Sequence, residues 1–361
     1  MNHYRLVLII TCTLVCPIIY LPRLFIEGRY QGALPAIGIA LLFGSFVSAL
    51  YLWRMRKFKG FTLLDILEQH LPAWMRIPLF LGTGLIWYAG GTFVLISISS
   101  VTMRFINPNM DIRVLFICFL LTVSWTALRH TSSLLNGIEI WLVVCIPLVL
   151  FLWYKGLRND LFDWDAVLTM TDYVWMQPSL KLIVFGSYLF MGVISLSIFK
   201  EYELSTSSRM SEVWLIPLVG MIIFCGFFFI PFGIHGTQAI DRYNFIWMST
   251  ADSLQMKFGI IERGVFLYLT AYMIISLMFI SMSWHAATEW VTRGLHIKRG
   301  DDKFRAILLL MVAAASFAFG LIASDRQVFA YSMNWLTALF VLEIILVLLV
   351  VLFSTRRRMD P

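Results

Sequence analysis

Long apolar runs separated by short polar segments divide this chain into ten windows: Leu6–Leu21, Gly32–Trp53, Ile77–Thr102, Val114–Leu128, Leu134–Tyr154, Leu180–Phe199, Val213–Phe232, Gly264–Ser283, Ala306–Ala323 and Ser332–Phe353. A helix needs about 20 apolar residues to cross a hydrocarbon core of about 30 Å, and the windows supply that order of length repeatedly. None alternates apolar and polar residues with a period of two, so helices rather than barrel strands must satisfy the backbone in lipid. The pattern predicts an all-α polytopic membrane protein, with ten transmembrane helices in a single membrane domain over residues 1–361. Composition agrees: 60% hydrophobic and 14% charged residues, with a mean hydropathy of +0.82, give more apolar surface than a compact soluble domain could bury.

Ten crossings put both termini on one side. Arg356, Arg357 and Arg358 mark that side as cytoplasmic, and the strongly basic connections fall there too: Arg54, Arg56, Lys57, Lys59 and Arg76, then Arg293, Lys298, Arg299, Lys303 and Arg305. The net charge of +7 is thus explained by topology and anionic lipid rather than nucleic acid. The first window has no small-residue cleavage site and reads as a retained helix. Cys12, Cys16, Cys118, Cys145 and Cys225 lie inside apolar windows with no CxxC spacing, which argues against a disulfide framework or a zinc site. In the first inner connection, Thr62 caps a short amphipathic helix with Asp65 three residues on, and Leu63, Leu64, Ile66, Leu67 and Leu71 give an apolar face suited to the inner leaflet, or else to docking a cytoplasmic partner domain.

Windows one to five and six to ten read as two five-helix repeats, about residues 6–154 and 180–353, the odd number inverting the second relative to the first. Both repeats open on an interrupted helix: Val15, Cys16 and Pro17 in window one, and Gly186, Ser187 and Tyr188, then Gly192, in window six. Breaks at matching positions of inverted halves are the sequence pointer to a central transporter-type site, although Pro and Gly are also common in transmembrane helices. Glu139, in window five, is the ionisable residue most clearly inside a window; it reads as a structural or boundary residue able to reach water or pair with Arg129 or His130, with proton coupling as the other reading. His285 and Glu289 read as interfacial. Window three is rich in small residues, Gly82, Gly84, Gly90 and Gly91, which permit close helix packing. Trp87 and Tyr88 there, with Tyr268 and Tyr272 of window eight, are aromatic candidates for lining a ligand pocket. No P-loop, HExxH or GxSxG motif occurs, nor a metal-holding cluster, so the expectation is a non-enzyme without metal or cofactor.

Several stretches resemble the spore-germination permeases, the B-type subunits of nutrient germinant receptors within the amino acid–polyamine–organocation superfamily. They are Tyr20-Leu21-Pro22, Phe61 to Leu67, the turn from Arg129 to Glu139, Phe258 to Arg263, and the Arg-rich tail. The chain departs from that pattern in carrying Val15, Cys16 and Pro17 where a glycine-containing break is usual, and in lacking an acid near Ser187 to Leu189. The resemblance implies two inverted five-helix repeats and a location in the spore inner membrane or cell membrane. It also implies companion A and C subunits and a small nutrient, such as an amino acid, bound near the bilayer midplane. The site it implies uses helices one, three, six and eight: Val15, Cys16, Pro17, Trp87, Tyr88, Gly186, Ser187, Tyr188, Tyr268 and Tyr272. Two other readings stand beside it, a proton-coupled amino-acid transporter using Glu139 and a non-binding scaffold that assembles the other subunits.

Overall fold

The computed structural model describes residues 10–11, 13–14, 21–58, 60–192, 194–195, 197–199, 214–243, 245–255, 263–297 and 301–356. The described residues are 83% helix and include no strand. The helices, in order, are α1 (Leu21–Glu27), α2 (Ala33–Met55), α3 (Leu63–His70), α4 (Ala73–Ile106), α5 (Ile112–Ala127), α6 (Thr131–Leu157), α7 (Trp164–Thr171), α8 (Leu180–Met191), α9 (Leu215–Ala239), α10 (Ile246–Asp252), α11 (Gly264–Gly294), α12 (Asp302–Ile322) and α13 (Asp325–Arg356). Seven of them, α2, α4, α6, α9, α11, α12 and α13, are long and apolar enough to cross a membrane; α5 and α8 are apolar but shorter. The first window lies mostly outside the described residues, including Val15, Cys16 and Pro17.

Lipid tails are as apolar as leucine, so these helices cannot associate by the hydrophobic effect alone; close packing and interhelical hydrogen bonds must hold them. Both are present. At Gly84 a Cβ would lie 3.1 Å from the Ala287 carbonyl oxygen and 2.6 Å from Val291 Cγ2, so the absence of a side chain is what lets α4 and α11 meet. Tyr88 and Thr288 share a 2.8 Å hydrogen bond across the same pair, Thr126 and Ser281 one of 2.6 Å between α5 and α11, and Thr92 and Ser316 one of 2.7 Å between α4 and α12. Trp335 Nε1 on α13 donates to the Ile86 carbonyl of α4 at 2.8 Å. The most apolar stretches of α4 and α11 are 61% and 67% buried, against 11% for α12. The α4–α11 pair is therefore the axis of the bundle, and α12 lies at its edge.

α3 forms as its residues dictate. Thr62 Oγ1 accepts the Asp65 N–H, the Asp65 carboxylate accepts the Thr62 N–H at 3.0 Å, and Leu71 ends the helix before Pro72. Its apolar face, however, is covered by protein rather than by the leaflet. Leu63, Leu64, Ile66 and Leu67 are all buried, and Arg293 at the end of α11 bonds Asp65 at 2.9 Å and Glu68 at 2.8 Å. Two carboxylates one turn apart facing a single guanidinium fix α3 to α11, which the linear pattern could not reveal. On the opposite end, the connection after α6 folds into α7, and the Asp163 N–H donates to the Gly233 carbonyl of α9 at 2.8 Å. Gly236, at φ 71° and ψ 172°, breaks α9 in its last turn, a backbone conformation open to glycine.

Candidate functional site

The sixth apolar window is not one helix. α8 ends at Met191 with Gly192 as its cap, and the described residues of 192–199 run on as turns. Gly192, Ile194, Ser195 and Ser197 together favour this, since glycine, β-branched and hydroxyl side chains all weaken a helix. Gly186, Ser187 and Tyr188, by contrast, are helical, which corrects the expectation of a break there. A Cβ at Gly186 would sit 3.0 Å from Ala40 Cβ, so the glycine serves packing against α2, and the Ser187 hydroxyl donates back to the Ile183 carbonyl at 2.7 Å within the helix. Tyr188 is buried, its ring 5.9 Å from that of Trp335.

Backbone released where a helix ends cannot be satisfied by lipid; here side chains of α2, α11 and α13 take up those groups, and α4 adds a bond to a side chain of the segment. The Ser48 hydroxyl of α2 donates to the Phe190 carbonyl at 2.5 Å, and Tyr51 hydrogen-bonds the Ser197 hydroxyl. Trp290 Nε1 of α11 donates to the Ser195 carbonyl at 3.4 Å. Trp87 Nε1 of α4 donates to Ser195 Oγ at 3.1 Å. The Ser195 N–H, which in a continuous helix would return to the Met191 carbonyl, donates instead to Glu343 Oε2 at 3.1 Å, and its hydroxyl donates to Oε1 at 2.6 Å. Glu343 lies about midway along α13 and is 1% exposed.

Glu343 and Ser195 were absent from the candidates read in the sequence. The signal was there: Glu343 is the lone charged residue in Ser332–Phe353. Glu139, chosen instead as the intramembrane acid, is only half-buried, two turns into α6. Trp87, a candidate, is enclosed against the break, while Tyr88 is committed to Thr288. His285 is buried against the turn between α5 and α6: its Nδ1–H must donate to the Ala127 carbonyl, at 2.8 Å, because that oxygen can only accept, and Nε2 lies 3.0 Å from the Thr131 hydroxyl. Glu289 pairs with Arg305 at 2.5 Å in a half-buried position.

Tyr268 and Tyr272 belong to a second feature. With Trp247 of α10 they form an aromatic ladder, Trp247 to Tyr268 at 5.7 Å and 17°, Tyr268 to Tyr272 at 6.3 Å and 14°. The ladder walls a cleft of about 90 Å³ whose polar lining includes Arg23, Ser97, Ser100 and Asp325. Asp325 accepts from Ser100 at 3.1 Å and pairs with Arg104; Arg23 pairs with Glu27 at 2.8 Å and covers the Phe329 ring. Trp87 and Ser97 stand ten residues apart on α4, about 15 Å along its axis. The candidates therefore separate into a mid-bundle clasp on the break and a cleft nearer one end, rather than lining one cavity.

Fold and site define a polytopic, multi-pass helical membrane protein in which the helix of the sixth apolar window ends at Met191 and a buried turn segment follows. The sequence matches no protein-family model and no curated protein. Among the described residues no group of three or more His, Cys, Asp or Glu could hold a metal ion.

Proposed function

We propose that this protein is a solute-sensing membrane subunit of the spore germinant-receptor B type, with ten crossings in two inverted five-helix repeats and both termini cytoplasmic. It binds a small nutrient such as an amino acid and passes its occupancy to companion A and C subunits. The observation that carries the reading is the interruption of the sixth apolar window after Met191, clasped at the bundle centre by Trp87, Trp290 and Glu343. Irregular backbone at membrane depth is tolerated where it is buried in protein or lines a cavity, and it is the usual element of solute sites in transporters. The cleft supplies entry: apolar rings for a side chain, with Asp325 and Arg23 offering opposite charges to a zwitterion. A ligand that binds one packing of the break better than another shifts their populations, which is all that signalling requires.

The second reading, a proton-coupled transporter, is favoured by the enclosed carboxylate of Glu343 beside the break. Two assays separate the readings. Amino-acid-triggered germination of spores carrying Tyr272→Ala at normal protein level falls if the chain senses nutrient and is unchanged if it is a scaffold. Labelled amino-acid flux in proteoliposomes appears if the chain transports, and is absent if it only senses.

A further inference from the structure

We propose that Glu343 is a proton-binding site whose protonation is linked to opening of the interrupted helix. The inference holds whichever solute the cleft takes, because it rests on the clasp alone. Glu343 is 1% exposed, and both of its oxygens face a single residue of the break, Ser195. α2, α4 and α8 pack against α13. The titratable groups they bring to this region are the hydroxyls of Tyr51, Tyr88 and Tyr188, which carry no charge at ordinary pH. His285 of α11 lies beyond the Phe199 ring, its nitrogens facing Ala127 and Thr131. Among the described residues no Lys, Arg or His forms an ion pair with Glu343. An acid at membrane depth without a cation is expensive to keep ionised and marks a proton or ion pathway in membrane proteins.

The hydrogen-bond inventory accommodates both charge states without moving a heavy atom. As carboxylate, Glu343 accepts the Ser195 N–H and O–H. When a proton from water adds to Oε1, the 2.6 Å contact reverses: the acid O–H donates to Ser195 Oγ, and the serine hydrogen turns away. Ser195 Oγ has the capacity, since a hydroxyl accepts twice and Trp87 Nε1 uses one lone pair. Oε2 keeps the Ser195 N–H. Protonation keeps both contacts but turns them from charge-assisted into weaker neutral hydrogen bonds, which loosens the hold on the break. Because the carboxyl is sealed, the proton reaches it only while the segment is displaced, and the weaker neutral clasp then favours that displaced state.

Infrared difference spectroscopy on the purified full chain in liposomes, titrated with acid, tests this. The wild type gains a protonated-carboxyl C=O band that Glu343→Gln lacks. Ser195→Ala keeps the carboxyl but loses its hydroxyl partner, and shifts both the frequency and the titration midpoint of that band. This second variant decides the matter if Glu343→Gln does not fold. A band that persists in Glu343→Gln, a midpoint unmoved in Ser195→Ala, or no titrating band in the wild type overturns the proposal.

Discussion

Arg293, at the end of α11, reaches 2.9 Å from the carboxylate of Asp65, and thereby anchors a surface helix to the central span of the bundle. The same guanidinium takes Glu68 at 2.8 Å, and with side chains between 15% and 28% exposed the cluster is neither fully solvated nor fully enclosed. Arg293→Ala leaves two facing carboxylates without their cation, and a cost between the surface and buried limits, about 1–3 kcal/mol, is expected. Thermal unfolding in detergent checks it. Arg293→Lys, which keeps the charge but not the fork, should recover only part of the loss.

The same cluster has a pH signature. Burial raises the affinity of Asp65 for a proton, but the Thr62 N–H and hydroxyl and the Arg293 guanidinium together outweigh it and hold the carboxyl below its ordinary value of 3.8. A group whose folded value is depressed stabilises fully above its unfolded value and loses that contribution as pH falls through the folded one. Docking of α3 should therefore be unaffected at neutral pH and weaken below about pH 4. Proteolysis within 56–62, followed against pH, should accelerate there in the wild type. In Asp65→Asn that acid-dependent increase should be reduced.

Helix packing at the axis predicts an intolerant glycine. Gly84→Val places a Cβ 3.1 Å from a backbone oxygen, where nothing flexible can yield, besides colliding with Val291. Overpacking of this kind costs about 1–3 kcal/mol or more, so the variant should be recovered in much lower yield. Gly82→Val on the same helix meets nothing within 4 Å and should be recovered as well as the wild type.

In the clasp, Trp87→Phe retains a ring but removes the donor to Ser195 Oγ. A loss of about 1 kcal/mol is expected, seen as a lower melting temperature with the bundle still assembled. In the cleft, Tyr272→Ala removes one rung of the aromatic ladder. The nutrient concentration for half-maximal germination should rise about tenfold, equivalent to 1.4 kcal/mol of lost contact.

Local rules were readable from the residues and long-range partners were not. The Thr62–Asp65 cap and the Gly192 break follow from chemistry within a few positions, and both formed where that chemistry pointed. Gly186 misled because a glycine that breaks a helix and one that admits a neighbour look alike in one dimension; only the contact with Ala40 distinguishes them. The α3 face was assigned to lipid because its anchor, Arg293, lies more than two hundred residues away. Ser195 and Glu343, 148 residues apart, escaped for the same reason, though the depth of Glu343 in its window was itself a usable sign. Tyr268 and Tyr272 met at a cleft as aromatic candidates, while Trp87 and Tyr88 found hydrogen-bonding partners in the core instead.

Hydrogen exchange of the 192–199 segment, measured in the reconstituted full chain with and without nutrient amino acids, tests the account at its centre. A responsive interruption should exchange faster than the flanking α8 and the central turns of α4, and should change its protection when a nutrient binds. Protection equal to that of α4, unaltered by any nutrient, would contradict it.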